Sequence, residues 1–140
     1  MMKILFVCHG NICRSAMAEF VLRDLAAKNG VDMVVSSAAV SREEEGSPVY
    51  GPARRELMRH GIACDGHRAH RITAAEYSSV DRVYYMDESN RRSLTRLLPD
   101  MEKCRPLLER DVADPWYTGD FGKTWEDILA GCTKILEEFV

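Results

Sequence analysis

The sequence predicts an α/β fold, a single domain built on a four-stranded, mainly parallel sheet with helices on both faces. Three observations carry this. Short apolar runs of strand length alternate with longer stretches of helical periodicity, the pattern of βαβ units joined by right-handed crossovers. The first run, Ile4-Leu5-Phe6-Val7, is continuously apolar, as suits a strand buried on both faces of a parallel sheet. The 140 residues contain no internal repeat, low-complexity tract or linker, so a single core accounts for the whole chain.

The elements follow in order along the chain. After the strand at Ile4 to Val7, Ser15 opens a helical pattern in which Met17, Phe20, Val21, Asp24 and Leu25 recur until Asn29-Gly30 stops it. Val31 to Ser37 holds a second strand around Met33-Val34-Val35, and residues 41–49 form a polar loop. A second helix is expected from about Pro52 to His60, closed by Gly61; the turn-rich stretch Cys64 to His70 leads to a short helix near Ala74–Tyr77. Val80 to Met86 reads as the third strand, Glu88 to Leu98 as a helix ending before Pro99, and Lys103 to Leu107 as a short fourth strand. From Lys123 to Phe139, the residues Trp125, Ile128, Leu129, Cys132, Ile135, Leu136 and Phe139 share one helical face.

Composition narrows the function. With 46% hydrophobic and 29% charged residues the chain is an ordinary globular one, and its net charge of −3 argues against nucleic acid or an anionic membrane as partner. No run of about 18 apolar residues occurs, and the N-terminal apolar run is shorter than a signal-peptide core. The five cysteines are odd in number and lack paired CxxC spacing, so neither a disulfide scaffold nor a zinc site is expected. A reduced, cytoplasmic protein without metal is the reading.

The chemistry concentrates where the first strand ends. Ligands of open α/β sheets bind beyond the carboxyl ends of strands, where a loop turns into a helix. Here that loop is Cys8-His9-Gly10-Asn11-Ile12-Cys13-Arg14, leading into Ser15. Amides from His9 to Arg14 can converge on one point, a nest of donors for a tetrahedral dianion, and the helix dipole adds positive potential there. Gly10 is expected to supply a backbone conformation closed to most residues. This makes the segment a phosphate loop after the first strand. Cys8 would sit at its floor, where the donors that hold a dianion also favour a thiolate, giving a nucleophile without a dedicated base. Arg14 can grip two phosphoryl oxygens with its planar fork, and Ser15 can donate to the thiolate. The plainer alternative is a buried cysteine ending a strand; the strand before, the Gly within and the helix after favour the functional one.

Cleaving a phosphate ester also needs a proton for the leaving oxygen. Asp114-Pro115-Trp116-Tyr117 is the candidate: Pro115 stiffens the segment and Trp116 and Tyr117 can wall a pocket for a flat ring. Asp-Pro equally begins a turn before the last helix.

The run Val7 to Ser15, with Ala18-Glu19 after it, resembles the signature of the low-molecular-weight protein tyrosine phosphatases. Ser36-Ser37-Ala38-Ala39, Gly66-His67-Arg68-Ala69, Met86-Asp87-Glu88-Ser89-Asn90 and Asp114-Pro115 resemble further elements of that family, so the likeness spans essentially the whole chain. It implies Cys8 as nucleophile, Arg14 as phosphate ligand and Asp114 as general acid. It also implies that Asn11, Ser15, Ser37 and His67 hold the loop in shape, and that Asp87 stands near the rim. The implied substrates are phosphotyrosine-containing proteins or small aryl phosphates, with inorganic phosphate as product and no cofactor. Four positions depart from the family: Ala16 replaces a proline, Glu43 falls where an aromatic pocket wall is usual, and Tyr50 and Pro52 stand in place of an Asp-x-Arg pair; Glu43-Glu44-Glu45 make that rim more acidic and less aromatic.

Three other readings share parts of the pattern. A protein-arginine phosphatase typically carries threonine where Ile12 stands, so the apolar Ile12 and the aromatic pair favour phosphotyrosine. A thioredoxin-coupled arsenate reductase needs further cysteines after the third strand, and Met86 to Pro99 has none. A silent phosphate-binding module needs neither nucleophile nor acid. Cys13, within the same loop, is a candidate for a reversible disulfide with Cys8.

Overall fold

The computed structural model describes residues 1–140. Strands β1 (Met2–Cys8), β2 (Met33–Ala39), β3 (Arg82–Tyr85) and β4 (Cys104–Pro106) form one sheet in the order β2-β1-β3-β4, and every neighbouring pair is parallel. Six helices flank it: α1 (Arg14–Lys28), α2 (Gly51–Arg59), α3 (Ala74–Ser79), α4 (Glu88–Leu97), α5 (Pro115–Thr118) and α6 (Phe121–Glu137). The expected strands and helices are all present, with ends shifted by a few residues, and the sheet is wholly rather than mainly parallel. Only α5 has no counterpart among the expected elements. One helical turn is too short to leave a periodicity.

The unbroken apolar run of β1 has a direct cause. Successive side chains point to opposite faces of a sheet, and both faces here are covered. Ile4, Phe6 and Cys8 join the larger core with Met17, Val21 and Leu22 of α1, Leu57 of α2 and Ile128 of α6. Leu5 and Val7 join the smaller core with Tyr77 of α3, Val83 of β3 and Leu94 of α4. Each such fully buried side chain contributes about 1.5–3 kcal/mol to folding.

Side-chain caps fix the starts of α3, α4 and α6. Thr73 Oγ1 accepts from Glu76 N at 3.1 Å, Asp87 Oδ1 from Asn90 N at 2.8 Å and Asp120 Oδ1 from Lys123 N at 2.9 Å. At the far end of α2 the His60 ring stacks flat on Trp125 of α6, with centroids 3.7 Å apart. Gly131 of α6 lets Leu107 pack against the helix backbone; a β-carbon there would overlap the Leu107 side chain. No helix is long and apolar enough to cross a membrane.

The connections place β2 on one side of β1 and β3 on the other, so the winding reverses at β1. In sheets of this kind a crevice opens at the carboxyl end of that strand. Cys8 is its last residue.

Candidate active site

The turn from β1 into α1 is made by residues 9–13, and its polar groups divide by direction. The carbonyls are engaged by the surrounding chain: Cys8 O accepts from Val40 N at 3.0 Å, His9 O from Ser41 N at 3.2 Å and Ile12 O from Tyr50 N at 2.9 Å. Asn11 O accepts from His67 Nε2 at 2.7 Å. The N–H groups of residues 9–13 make no backbone hydrogen bond. A loop braced by its carbonyls and free at its amides is a nest for an anion.

Asn11 sets the shape of the loop. It takes φ +60°, and Gly10 is not among the positive-φ residues, so the special conformation expected of Gly10 belongs to its neighbour. Asparagine tolerates that region through local hydrogen bonding. Fully buried, Asn11 donates from Nδ2 to Ser15 Oγ at 2.9 Å and accepts at Oδ1 from His70 N at 3.4 Å. A lone pair of Ser15 Oγ is thereby occupied, and the hydroxyl lies 3.0 Å from Cys8 Sγ and 3.4 Å from Ala38 O, the two partners its hydrogen can reach. Ser15 N also points at Cys8 Sγ, at 3.4 Å.

Arg14, only 3% exposed, is gripped from three directions. Its Nη1 lies 2.9 Å from Asp87 Oδ2 and donates to Val112 O at 3.1 Å; its Nη2 lies 3.3 Å from Asp114 Oδ2. Burial opposes the guanidinium charge, but Cys8, Asp114 and Asp87 outweigh it and raise its pKa above the ordinary value. Asp87 thus caps α4 with one oxygen and holds Arg14 with the other. Asp114 divides likewise, its Oδ1 accepting from Trp116 N at 3.0 Å at the start of α5. Within the loop, burial above all, with Cys8 next, pushes the Cys13 thiol up to about 12, so Cys13 is not a thiolate at neutral pH.

These groups open on one cleft of ≈ 520 Å³. Cys8, His9, Gly10, Ile12, Cys13 and Arg14 line its floor, Asp114, Trp116 and Tyr117 one side, and Glu43 another. Of the residues expected at the site, Asn11, Ser15 and His67 meet behind the loop. Ser37 does not join them: its hydroxyl donates to Glu19 Oε1 at 2.5 Å, tying β2 to α1 instead. Glu43 Oε2 lies 3.0 Å from His9 Nε2, so the position where an aromatic wall is usual holds an exposed carboxylate against an imidazole. Tyr50 packs on Trp116 from outside the lining, centroids 5.4 Å apart. Ala16 is fully buried in the first turn of α1. Glu44 joins Glu43 in the lining, as expected of the acidic rim, whereas Ser89 and Asn90 line it without having been given a role from the sequence. Asn90, buried with Oδ1 accepting from Met86 N at 3.1 Å, had no signal outside the resemblance.

A thiol and a buried guanidinium sharing one loop, at the winding reversal of a parallel sheet, define the class of C-x5-R phosphate-handling proteins. A family model described as low molecular weight phosphotyrosine protein phosphatase matches residues 3–140. The low molecular weight protein-tyrosine-phosphatase YfkJ of Bacillus subtilis is 35% identical, covering 97% of this chain and 94% of that one. The human low molecular weight phosphotyrosine protein phosphatase is 34% identical over the same shares. The crystal structure of YfkJ superposes with a TM-score of 0.94 at 35% identity, covering 99% of this chain and 94% of that one. That of SP-PTP, the low molecular weight protein tyrosine phosphatase from Streptococcus pyogenes, gives 0.92 at 33% identity, covering 100% and 94%. The chain belongs to the low molecular weight phosphotyrosine protein phosphatase family, whose members are phosphoric monoester hydrolases.

Proposed function

We propose that this chain hydrolyses phosphotyrosine in proteins, and small aryl phosphates, through a cysteinyl-phosphate intermediate. The observation that carries the reading is the loop itself: carbonyls bonded outward, N–H groups uncommitted, and Cys8 Sγ beside Ser15 Oγ at 3.0 Å with buried Arg14 in the same lining. In the first step Cys8 Sγ attacks phosphorus in line, the P–O bond to tyrosine breaks, and Asp114 protonates the departing phenolate. In the second, Asp114 takes a proton from water, which attacks phosphorus, breaks the S–P bond and releases inorganic phosphate. Arg14 and the amides of residues 9–13 hold the equatorial oxygens in both steps.

Trp116, Tyr117 and Ile12 give the cleft apolar surface for a phenyl ring, which supports tyrosine over serine or arginine as the phosphorylated residue. Cys8 and Cys13 are the only cysteines in the lining, so no third thiol stands ready to relay electrons as arsenate reduction would require. A cytoplasmic location belongs to the same reading, supported by five cysteines of which none is paired.

Turnover of phosphotyrosine, phosphoserine, phosphoarginine and arsenate at matched concentration tests the substrate class, with phosphotyrosine expected first. Cys8→Ser is expected to abolish turnover and retain phosphate binding. Undiminished turnover in that variant would refute the mechanism.

A further inference from the structure

The acid loop is held from two sides. Toward the sheet, Val112 N donates to Met86 O at 2.8 Å and Val112 O accepts from Arg14 at 3.1 Å. Toward α6, Ala113 N donates to Asp127 Oδ2 at 3.1 Å and Ala113 O accepts from Thr124 Oγ1 at 2.9 Å. Both α6 side chains are buried, Thr124 at 0% and Asp127 at 2% exposure. Asp127 is itself immobilised: Arg110 binds it through two nitrogens at 2.8 and 3.0 Å, and Lys123 Nζ lies 3.2 Å away.

A buried carboxylate with this many donors is rigid, and it spends one oxygen on the backbone of the residue before Asp114. The two peptide units leading into Asp114 are therefore referenced to α6, while the carboxylate at the far end is referenced to Arg14 and α5. Proton transfer to a leaving oxygen demands a fixed donor position, and a misplacement of about 1 Å can cost ~100-fold in rate.

We propose that Asp127 and Thr124 are positioning residues for the phosphatase reaction, clasping Ala113 at its N–H and C=O so that Asp114 is held for proton transfer. This rests on the reading of Asp114 as the general acid. The clasp acts on the step that breaks the ester bond and leaves phosphate binding by the loop untouched.

The dependence of kcat/KM on leaving-group pKa across a series of aryl phosphates tests it, because loss of a well-placed acid is felt most by poor leaving groups. Asp114→Ala sets the limit, with a steep dependence. Asp127→Asn and Thr124→Val are expected to steepen it partway, losing about tenfold on phenyl phosphate and less than about threefold on 4-nitrophenyl phosphate. Thr124→Ser, which keeps the hydroxyl, should retain the wild-type slope. Inhibition by inorganic phosphate should stay within about twofold throughout, and Asp127→Asn should add no further steepening to Asp114→Ala. Equal losses for every leaving group, or no change in Asp127→Asn and Thr124→Val while Asp114→Ala steepens, would overturn the clasp and leave the acid reading standing. A flat response in Asp114→Ala would remove the acid reading and the clasp with it. Thr124→Val preserves side-chain shape and serves where Asp127→Asn does not fold.

Discussion

Asn11 shows how one side chain can do what a glycine next to it is expected to do. Its left-handed backbone is stabilised by bonds from both ends of the amide and from its own carbonyl. Two substitutions separate these contributions. Asn11→Gly keeps the conformation and loses the bond to Ser15, so it should weaken kcat/KM with a small change in Tm. Asn11→Ala also carries the left-handed penalty of about 1–2 kcal/mol, so it should lower Tm by several degrees more. Equal melting points for the two would show that the amide, not the backbone angle, carries the cost. At this scale the sequence was most legible where chemistry demands fixed spacing. Cys8 and Arg14 were read from the loop length and its place between strand and helix. The shift from Gly10 to Asn11 was not, because a glycine beside an asparagine leaves both able to adopt positive φ.

The elements carry their own tests, and α6 carries two. Gly131→Ala would gain about 1 kcal/mol of helix propensity. The new β-carbon overlaps Leu107, however, and overpacking costs roughly 1–3 kcal/mol. Net loss of stability in urea melts is the expected outcome; a gain would mean that Leu107 moves aside freely. Asp127 provides the second. Its hydrogen bonds from Arg110 first, together with Ala113 N and Lys123, overcome burial and hold its carboxyl well below the ordinary 3.8. A carboxyl lowered by folding contributes stability that is complete above its unfolded pKa and lost as pH falls through its folded one. Wild type should therefore exceed Asp127→Asn most at neutral pH, with the gap narrowing below pH 3.8. A gap of constant size at pH 7 and pH 3 would assign the difference to packing instead. The long elements were legible because burial on a defined face imposes a period; α5, a single turn started by Asp114 and Pro115, imposes none.

Over the molecule as a whole, charge is distributed more informatively than its total of −3 suggests. Asp87 and Asp114 share the single positive charge of Arg14, Glu43 touches the His9 ring, and Glu44 adds a further carboxylate to the same rim. A phosphopeptide with acidic flanks should then be a poorer substrate than one with neutral or basic flanks. The difference should shrink with salt, as the Debye length falls from about 10 Å at 0.1 M to about 3 Å at 1 M. Glu43→Gln with Glu44→Gln should level the series; the reverse order of kcat/KM in wild type would sink the idea. This convergence is what one sequence hides best. Arg14 and Asp114 are 100 positions apart, and only the winding of the sheet brings them together. The two tryptophans of this fold sit in opposite circumstances, Trp116 62% exposed at the cleft and Trp125 flat against the His60 ring. They make the protein its own fluorimeter. The stacked indole loses its ring contact when α2 leaves α6, so its emission reports unfolding. The exposed one responds to whatever enters the cleft, and Trp125→Phe would isolate that signal as a titration of phosphate binding without turnover.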